Sequence, residues 1–397
     1  MRLKVIPEDF LVEERIRLPP GGDSHSLYRV QKREATTLEV QARLARALRL
    51  PLSAVVFPAL KDRNAVAVQY ATVRGPGPER LSGPGFTAER VGQVARPLAP
   101  SDLIGNRFEV TVRDLSPEEA TRIGQRLAEV AAEGLPNYFD QQRFGSQTVS
   151  GNFPGRCILR RDAEGALRAY LAEPMVGDPA DVRAFKQEAA ARWGQWRALL
   201  EIAPRPSNLR SVLTFLCDHP TDFRRALNLV TPRILSLYLA AYQSFLWNRI
   251  AAGYLQARLG PPSGFVEVAG GALSLFPALS DRLPPDAAVP LPHHRAVYGD
   301  PLLAAVVEEV LRAEGLTLSD LKPRLLRRAY LPRGQRRLVL RPTEASASLP
   351  TPDERFPGRQ KVTLTFALPP GSYATLVVRS LFVLPSTKAT RSEPLRR

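Results

Sequence analysis

Residues 53–73, SAVVFPALKDRNAVAVQYATV, decide the fold. Two apolar runs, 53–60 and 65–73, rich in valine, flank the polar break Lys61-Asp62-Arg63-Asn64. Runs of that composition read as buried strands, and the break between them as a loop or tight turn. Polar residues held between two buried strands stand on a rigid frame, which suits a chemical site. Asp62 by itself reads two ways. It is either a solvated turn residue, or a carboxylate kept ionised by Lys61 and Arg63 for nucleophilic or general-base work.

Upstream of this stretch, residues 8–17 alternate loosely, Gly21-Gly22-Asp23 predicts a turn, and SLYRVQKR (26–33) predicts a strand. Thr36 or Thr37 is placed to cap the amphipathic helix LEVQARLARALRL. Downstream, GPGPERLSGPG (75–85) predicts a loop and NRFEVTVRD (106–114) a strand. Ser116-Pro117-Glu118-Glu119 is a capping box with proline at the first helical position. Its helix runs to Glu133, with Gly134 supplying the left-handed terminal residue. Leu135-Pro136-Asn137-Tyr138-Phe139 follows as a rigid turn bearing two aromatics.

From residue 150 the pattern is mainly helical, with one helix predicted over 181–201 and another from Thr231-Pro232 to Leu259. FVEVAGGALSLF (265–276) is strand-like, 277–292 is rich in proline, and a helix is expected over 301–314. KVTLTFAL (361–368) returns to β pattern, and a turn at 369–372 leads into a last helix, SYATLVVRSLF. That return implies a discontinuous domain whose sheet is completed by C-terminal residues.

A length of 397 residues favours two domains. No apolar run approaches the ~20 residues that span a bilayer. The N-terminus lacks the apolar core of a signal peptide, so a cytoplasmic protein is expected. Two cysteines, Cys157 and Cys217, build no disulfide framework. The Cys217-Asp218-His219 triplet lacks the four-ligand spacing of a structural zinc site, so no metal is expected. A buried thiol beside a surface histidine is the reading there, and His293 and His294, in the proline-rich loop, are expected to be solvated. Fifty-five Lys and Arg against 39 Asp and Glu leave a net charge of +16. Such an excess points to phosphate-rich polymers. Neither terminus carries the basic amphipathic helix that an anionic membrane would attract.

The nucleophile elbow, the Walker loop, the zinc-protease helix and the dinucleotide glycine fingerprint are all missing. Carboxylates remain as the candidate chemistry. In NYFDQQRFG (137–145) the aromatics either anchor a turn to the core or, with Arg143, stack on an exposed base.

At these residues the sequence resembles the TruD family of tRNA pseudouridine synthases. Lys61-Asp62-Arg63-Asn64-Ala65-Val66 with Gln69 is similar to the family's K-D-x-x-A-V-x-x-Q segment. Gly105-Asn106-Arg107-Phe108 resembles its G-N-x-F strand, and 136–145 its P-N-Y-F…Q-R-F-G signature. Lys4 to Phe10 resembles K-x-x-P-E-D-F, and Pro370 to Thr375 resembles P-x-G-S-F-A-T. Asn64 stands where the family often has histidine.

The resemblance implies an α+β fold: a catalytic domain on a mixed, largely antiparallel sheet (1–150 and 326–397), and an inserted family-specific α/β domain (151–325). RNA is expected in the cleft between them. It implies Asp62 as the catalytic aspartate and Lys4 as its basic partner. Phe139 would stack on the target uracil, and Asn137 would orient the site. The implied reaction is isomerisation of uridine, at position 13 of tRNA in the family precedent, by a monomer without cofactor. Two rivals stand beside it: the same chemistry on another structured RNA, and a catalytically silent RNA-binding protein on the same scaffold.

Overall fold

The computed structural model describes residues 1–383, apart from Asp62, Asn64, Pro206, Ala269 and Gly270. The chain divides into two compact units, one of Met1–Gly134 with Leu340–Phe382, the other built on Leu135–Val339.

The first unit is a ten-stranded sheet flanked by helices. Its strands are β1 (Phe10–Ile16), β2 (Gly21–Lys32), β3 (Val55–Val56), β4 (Val66–Arg74), β5 (Arg80–Gly83), β6 (Phe86–Val94), β7 (Leu103–Leu115), β8 (Thr343–Ala347), β9 (Thr351–Pro352) and β10 (Gln360–Leu368). Eight of them run in the order β8-β10-β7-β1-β4-β2-β6-β5; β9 pairs with β10 and β3 with β4. The pair β1–β4 is parallel, with Leu11 opposite Val66 and Glu13 opposite Val68. The other recorded pairs in the sheet are antiparallel. The expected mixed, largely antiparallel sheet is therefore present. The C-terminal strand β10 pairs along β7 from Gln360–Leu115 to Leu368–Asn106.

Two helices begin with the caps their sequences specify. In α1 (Thr37–Ala47) Thr36 accepts from Glu39 N, and the Glu39 carboxylate accepts from Thr36 N in return. In α2 (Pro117–Glu133) Ser116 and Glu119 form the same reciprocal box, worth about 1 kcal/mol for each cap. One face of α1 closes a core of Tyr28, Val30, Val40, Leu44, Val55, Val73 and Phe86. The last helix of the unit, α3 (Ala374–Ser380), follows β10.

Four expectations of secondary structure change. Gly21-Gly22-Asp23 lies inside β2: Gly21 and His25 both pair with Val94 across a register shift. A Cβ on Gly22 would stand 2.8 Å from Ala95 Cα, so the glycine serves close approach. The run 53–60 yields only the two-residue β3 after a 3-10 turn, because Pro58 has no N–H for a ladder. The glycine–proline stretch 75–85 contains β5, joined to β6 by the two residues Pro84-Gly85. The single helix expected over 181–201 is two, Ala180–Ala191 and Trp196–Ile202, with Gly194 at φ +94° between them.

The second unit is mainly helical around Pro232–Leu259, whose fifteen buried residues lie on all its sides. FVEVAGGALSLF forms a hairpin, Gly264–Val268 against Gly271–Leu275. His293 is buried rather than solvated, its Nδ1 accepting from Arg295 N at 3.1 Å. Cys217 is half-buried and His219 exposed.

Candidate active site

Asp62 and Asn64 lie outside the described residues, but their neighbours Lys61, Arg63 and Ala65 are described. These neighbours are tied to three elements. Lys61 N donates to Thr37 Oγ1 at 2.8 Å, in the first turn of α1. Lys61 Nζ donates to Asn106 Oδ1 on β7 and lies 3.4 Å from Glu14 Oε1 on β1. Gln69, on β4, joins the group: Thr37 Oγ1 donates to its Oε1 at 2.8 Å, and its Nε2 donates to Glu14 Oε1 and Ala59 O, both at 2.9 Å. Tyr70 N completes the shell of Glu14, donating to Oε2 at 3.1 Å.

Glu14, Thr37, Gln69 and Asn106 are all buried, and the Lys61 side chain is 11% exposed. A buried carboxylate met by Lys61, Gln69 and Tyr70 N, the first of them cationic, is a satisfied network, and such networks are rigid. On the other flank, Arg63 Nη2 donates to Glu39 Oε1 at 2.6 Å and Nη1 to Glu34 O at 3.2 Å. Hydrogen bonds from the Thr36 backbone and hydroxyl, and then from Arg63, hold the Glu39 carboxyl down at about 2. Glu39 thus accepts from the N-cap and from Arg63 at once.

Lys4 is half-buried, with its Nζ 4.3 Å from the centroid of the Phe10 ring. Its backbone sits at φ +56°, a conformation that costs a residue with a Cβ roughly 1 kcal/mol or more. Lys32, the last residue of β2, is 1% exposed and pairs in register with Ala67 of β4 and Phe86 of β6. A fully buried ammonium near the start of β4 is a feature that patterning did not single out.

In the second unit, Asn137 and Phe139 come together around Arg336. Arg336 donates from Nε to Asn137 O at 2.6 Å, and from Nη2 to Asn137 Oδ1 at 2.9 Å and Tyr138 O at 3.1 Å. Its guanidinium lies 4.1 Å from the Phe139 centroid. Asn137 Nδ2 donates to Arg337 O at 3.1 Å. The Phe139 ring meets Trp247 edge-on at 5.6 Å, and Arg143 lies 5.7 Å from its centroid. Asn248 brackets Phe139 as a peptide would, accepting from its N–H at 2.9 Å and donating to its carbonyl at 2.8 Å. Phe139 is 9% exposed: the ring is anchored in the core, and the Arg336 guanidinium lies against it.

Arg336 and Glu14 are the residues that sequence reasoning missed. Glu14 sits in the EDFLVEERIR strand, where an inward-pointing acid at an otherwise apolar position was the available signal. Among the described residues, no group of three or more His, Cys, Asp or Glu is arranged to hold a metal. No helix among them is long and apolar enough to cross a membrane.

The family model for tRNA pseudouridine synthase D (TruD) matches residues 1–262 and 281–381. A Methanocaldococcus jannaschii protein named "Probable tRNA pseudouridine synthase D 2" is 29% identical over 98% of this chain and 93% of its own length. The tRNA pseudouridine synthase D of Geobacter sulfurreducens is 31% identical over 97% of this chain and 95% of its own. A crystal structure of a Methanosarcina mazei protein named "Putative tRNA pseudouridine synthase D (TruD)" superposes with a TM-score of 0.72, covering 96% of this chain and 93% of the other. At 23% identity that likeness speaks for the fold, and it agrees with the α+β architecture. The matched residues take in the Lys61–Gln69 segment, the Glu14 network and the Phe139 cluster, and the chain belongs to the tRNA pseudouridine synthase D (TruD) family, isomerases of tRNA uridine.

Proposed function

We propose that this chain converts uridine 13 of tRNA to pseudouridine, with Asp62 as the catalytic carboxylate. The reaction breaks the N1–C1′ bond, turns the uracil, and joins C5 to C1′. Substrate and product have the same atoms and oxidation state, so the balance needs no co-reactant. Three routes are open to the carboxylate: attack on the sugar, attack on the base, or removal of the C2′ proton to a glycal. Each calls for an ionised acid.

The observation that carries this reading is the double anchoring of the residues beside Asp62, by Thr37, Asn106 and Glu14 on one side and by Glu39 on the other. Chemistry that depends on a near-attack geometry needs such a frame. Lys4 supplies positive charge that keeps Asp62 ionised, and its strained backbone fits a position chosen for function rather than stability. Phe139 with Arg336 offers the extruded uracil an aromatic and cationic surface, returning about 1–3 kcal/mol of the few spent on unstacking. Asn137 holds Arg336 against that ring. The inserted unit, Leu135–Val339, selects the RNA.

Asp62→Asn keeps size and removes charge. Single-turnover pseudouridine formation should fall at least about a thousandfold, some 4 kcal/mol of transition-state stabilisation. The Kd for tRNA should stay within about threefold, because phosphate contacts lie elsewhere. Near-normal turnover in the folded variant would sink the assignment.

A further inference from the structure

The second unit gathers cations at one place without acids between them. Residues 322–337 hold seven Lys and Arg and no Asp or Glu. The stretch 291–296 runs beside them: Ala288–Pro290 pairs with Gln335–Arg337, and Leu291 N donates to Gly334 O at 2.9 Å. Gln243, buried in the long helix, clamps both strands, its Nε2 donating to Pro292 O and to Pro332 O at 2.9 Å each. Asn228 fixes the other end of the stretch, donating to Leu325 O and accepting from Arg327 N, both at 2.9 Å.

Arg295, Lys322, Arg324 and Arg333 are all exposed on this frame. Among the described residues, none of the four has a carboxylate within ion-pair distance, whereas Arg161 nearby in the same unit pairs with Asp320. Their fields converge on His294. Burial first, and then Arg295, Lys322, Arg333 and Arg324, hold that imidazole below its ordinary value. Asp320 is the acid whose field Arg324 reaches, and it is already engaged by Thr317 and Arg161. Four like charges on a rigid frame repel one another, and a polyanion relieves that repulsion. Tyr330, 67% exposed, stands in the same stretch with its hydroxyl bonded to Arg327 O at 3.0 Å. An exposed ring among cations is what an unstacked base meets on RNA-binding surfaces.

We infer that Arg295, Lys322, Arg324 and Arg333 form a phosphate-binding patch that docks the RNA backbone, with Tyr330 stacking on a neighbouring exposed base. The inference rests on the tRNA reading and adds a surface of the second unit by which the substrate is held.

The test compares wild-type protein with the fourfold alanine variant of these residues, in filter binding of tRNA across salt and in single-turnover rate at saturating tRNA. Each lost phosphate contact removes roughly 0.7–0.9 from the log–log salt slope, so the slope should fall by about 3. The Kd should rise at least about tenfold at 0.1 M salt, and the saturated rate should stay within about threefold. A control variant, Arg183→Ala with Arg192→Ala and Arg197→Ala, also exposed and in the same unit, should keep the wild-type slope. Arg333→Glu alone gives the same direction should the fourfold variant fold poorly. Tyr330→Ala should weaken binding without changing the slope, and Tyr330→Phe should restore it. An unchanged slope and Kd in the fourfold variant overturns the patch while the tRNA reading stands, and so does an equal loss in the control. Loss of binding to phosphatidylglycerol vesicles with tRNA affinity kept assigns the patch to membrane and overturns it too. Wild-type protein that binds no tRNA overturns both.

Discussion

Gln69 Nε2 donates to Glu14 Oε1 at 2.9 Å, across the parallel pair β1–β4 at the middle of the sheet. With Tyr70 N donating to Glu14 Oε2, this bond adds a side-chain lock to the backbone ladder between the strand that follows the Asp62 segment and the strand that follows the Lys4 segment. The lock is polar in an apolar setting. It is therefore directional, and a slip of either strand would leave a buried amide and a buried carboxylate unsatisfied.

Removing Glu14 should expose that dependence. Glu14→Ala leaves the Lys61 ammonium, the Gln69 amide and Tyr70 N short of their acceptor, at a cost of about 3–5 kcal/mol in urea unfolding. Glu14→Gln keeps part of the hydrogen bonding and should cost less. In both, at a temperature where the variant is folded, single-turnover rate should fall at least tenfold with tRNA affinity within about twofold. A large stability loss with an unchanged rate would make the network a fold device only.

Phe139 is anchored as well as proposed to stack, and two substitutions separate the roles. Phe139→Ala opens a cavity against Trp247 and strips Arg336 of its ring, costing about 3–5 kcal/mol. Phe139→Leu nearly preserves volume and should cost under about 1.5 kcal/mol. Both should weaken capture of the target base and lower the rate. Normal turnover in a stable Phe139→Leu protein would assign the ring to packing alone.

What the sequence made legible was local or patterned. The capping boxes at Thr36 and Ser116, the long helix from Pro232 and the C-terminal strand each carry their own signal in a few adjacent residues. Gly22 was misread because glycine serves turns and close approaches alike, and only Ala95 across the strand decides between them. The break at Gly194 was passed over because the apolar spacing on both sides of it is helical. Glu14 and Arg336 were missed for a different reason. Glu14 meets Gln69 from 55 positions away and Arg336 meets Asn137 from 199; the inward place of Glu14 in its strand is a local signal, but the partner that makes either charge part of a network is not.

Asp102 offers a test of the fold by pH. It is buried where β7 begins, and Arg96 donates to both of its oxygens at 2.7 Å, with Ala99 N at 2.8 Å. The hydrogen bonds from Arg96 hold its carboxyl down at about 2. Because the folded-state value lies below the unfolded one, near 3.9, the stabilisation is complete above about pH 5 and is lost as pH falls towards 2. Arg96 is half exposed, so solvent screening limits the pair to about 1–2 kcal/mol. Asp102→Asn should therefore unfold at lower urea than wild type at pH 7 by that amount, and the gap should close progressively between pH 4 and pH 2. Differencing the two proteins removes the other titrating carboxylates, such as Glu39 and Glu354, which both carry. A gap that stayed constant down to pH 2 would mean that the charge on Asp102 contributes nothing and that the variant is weakened by packing alone.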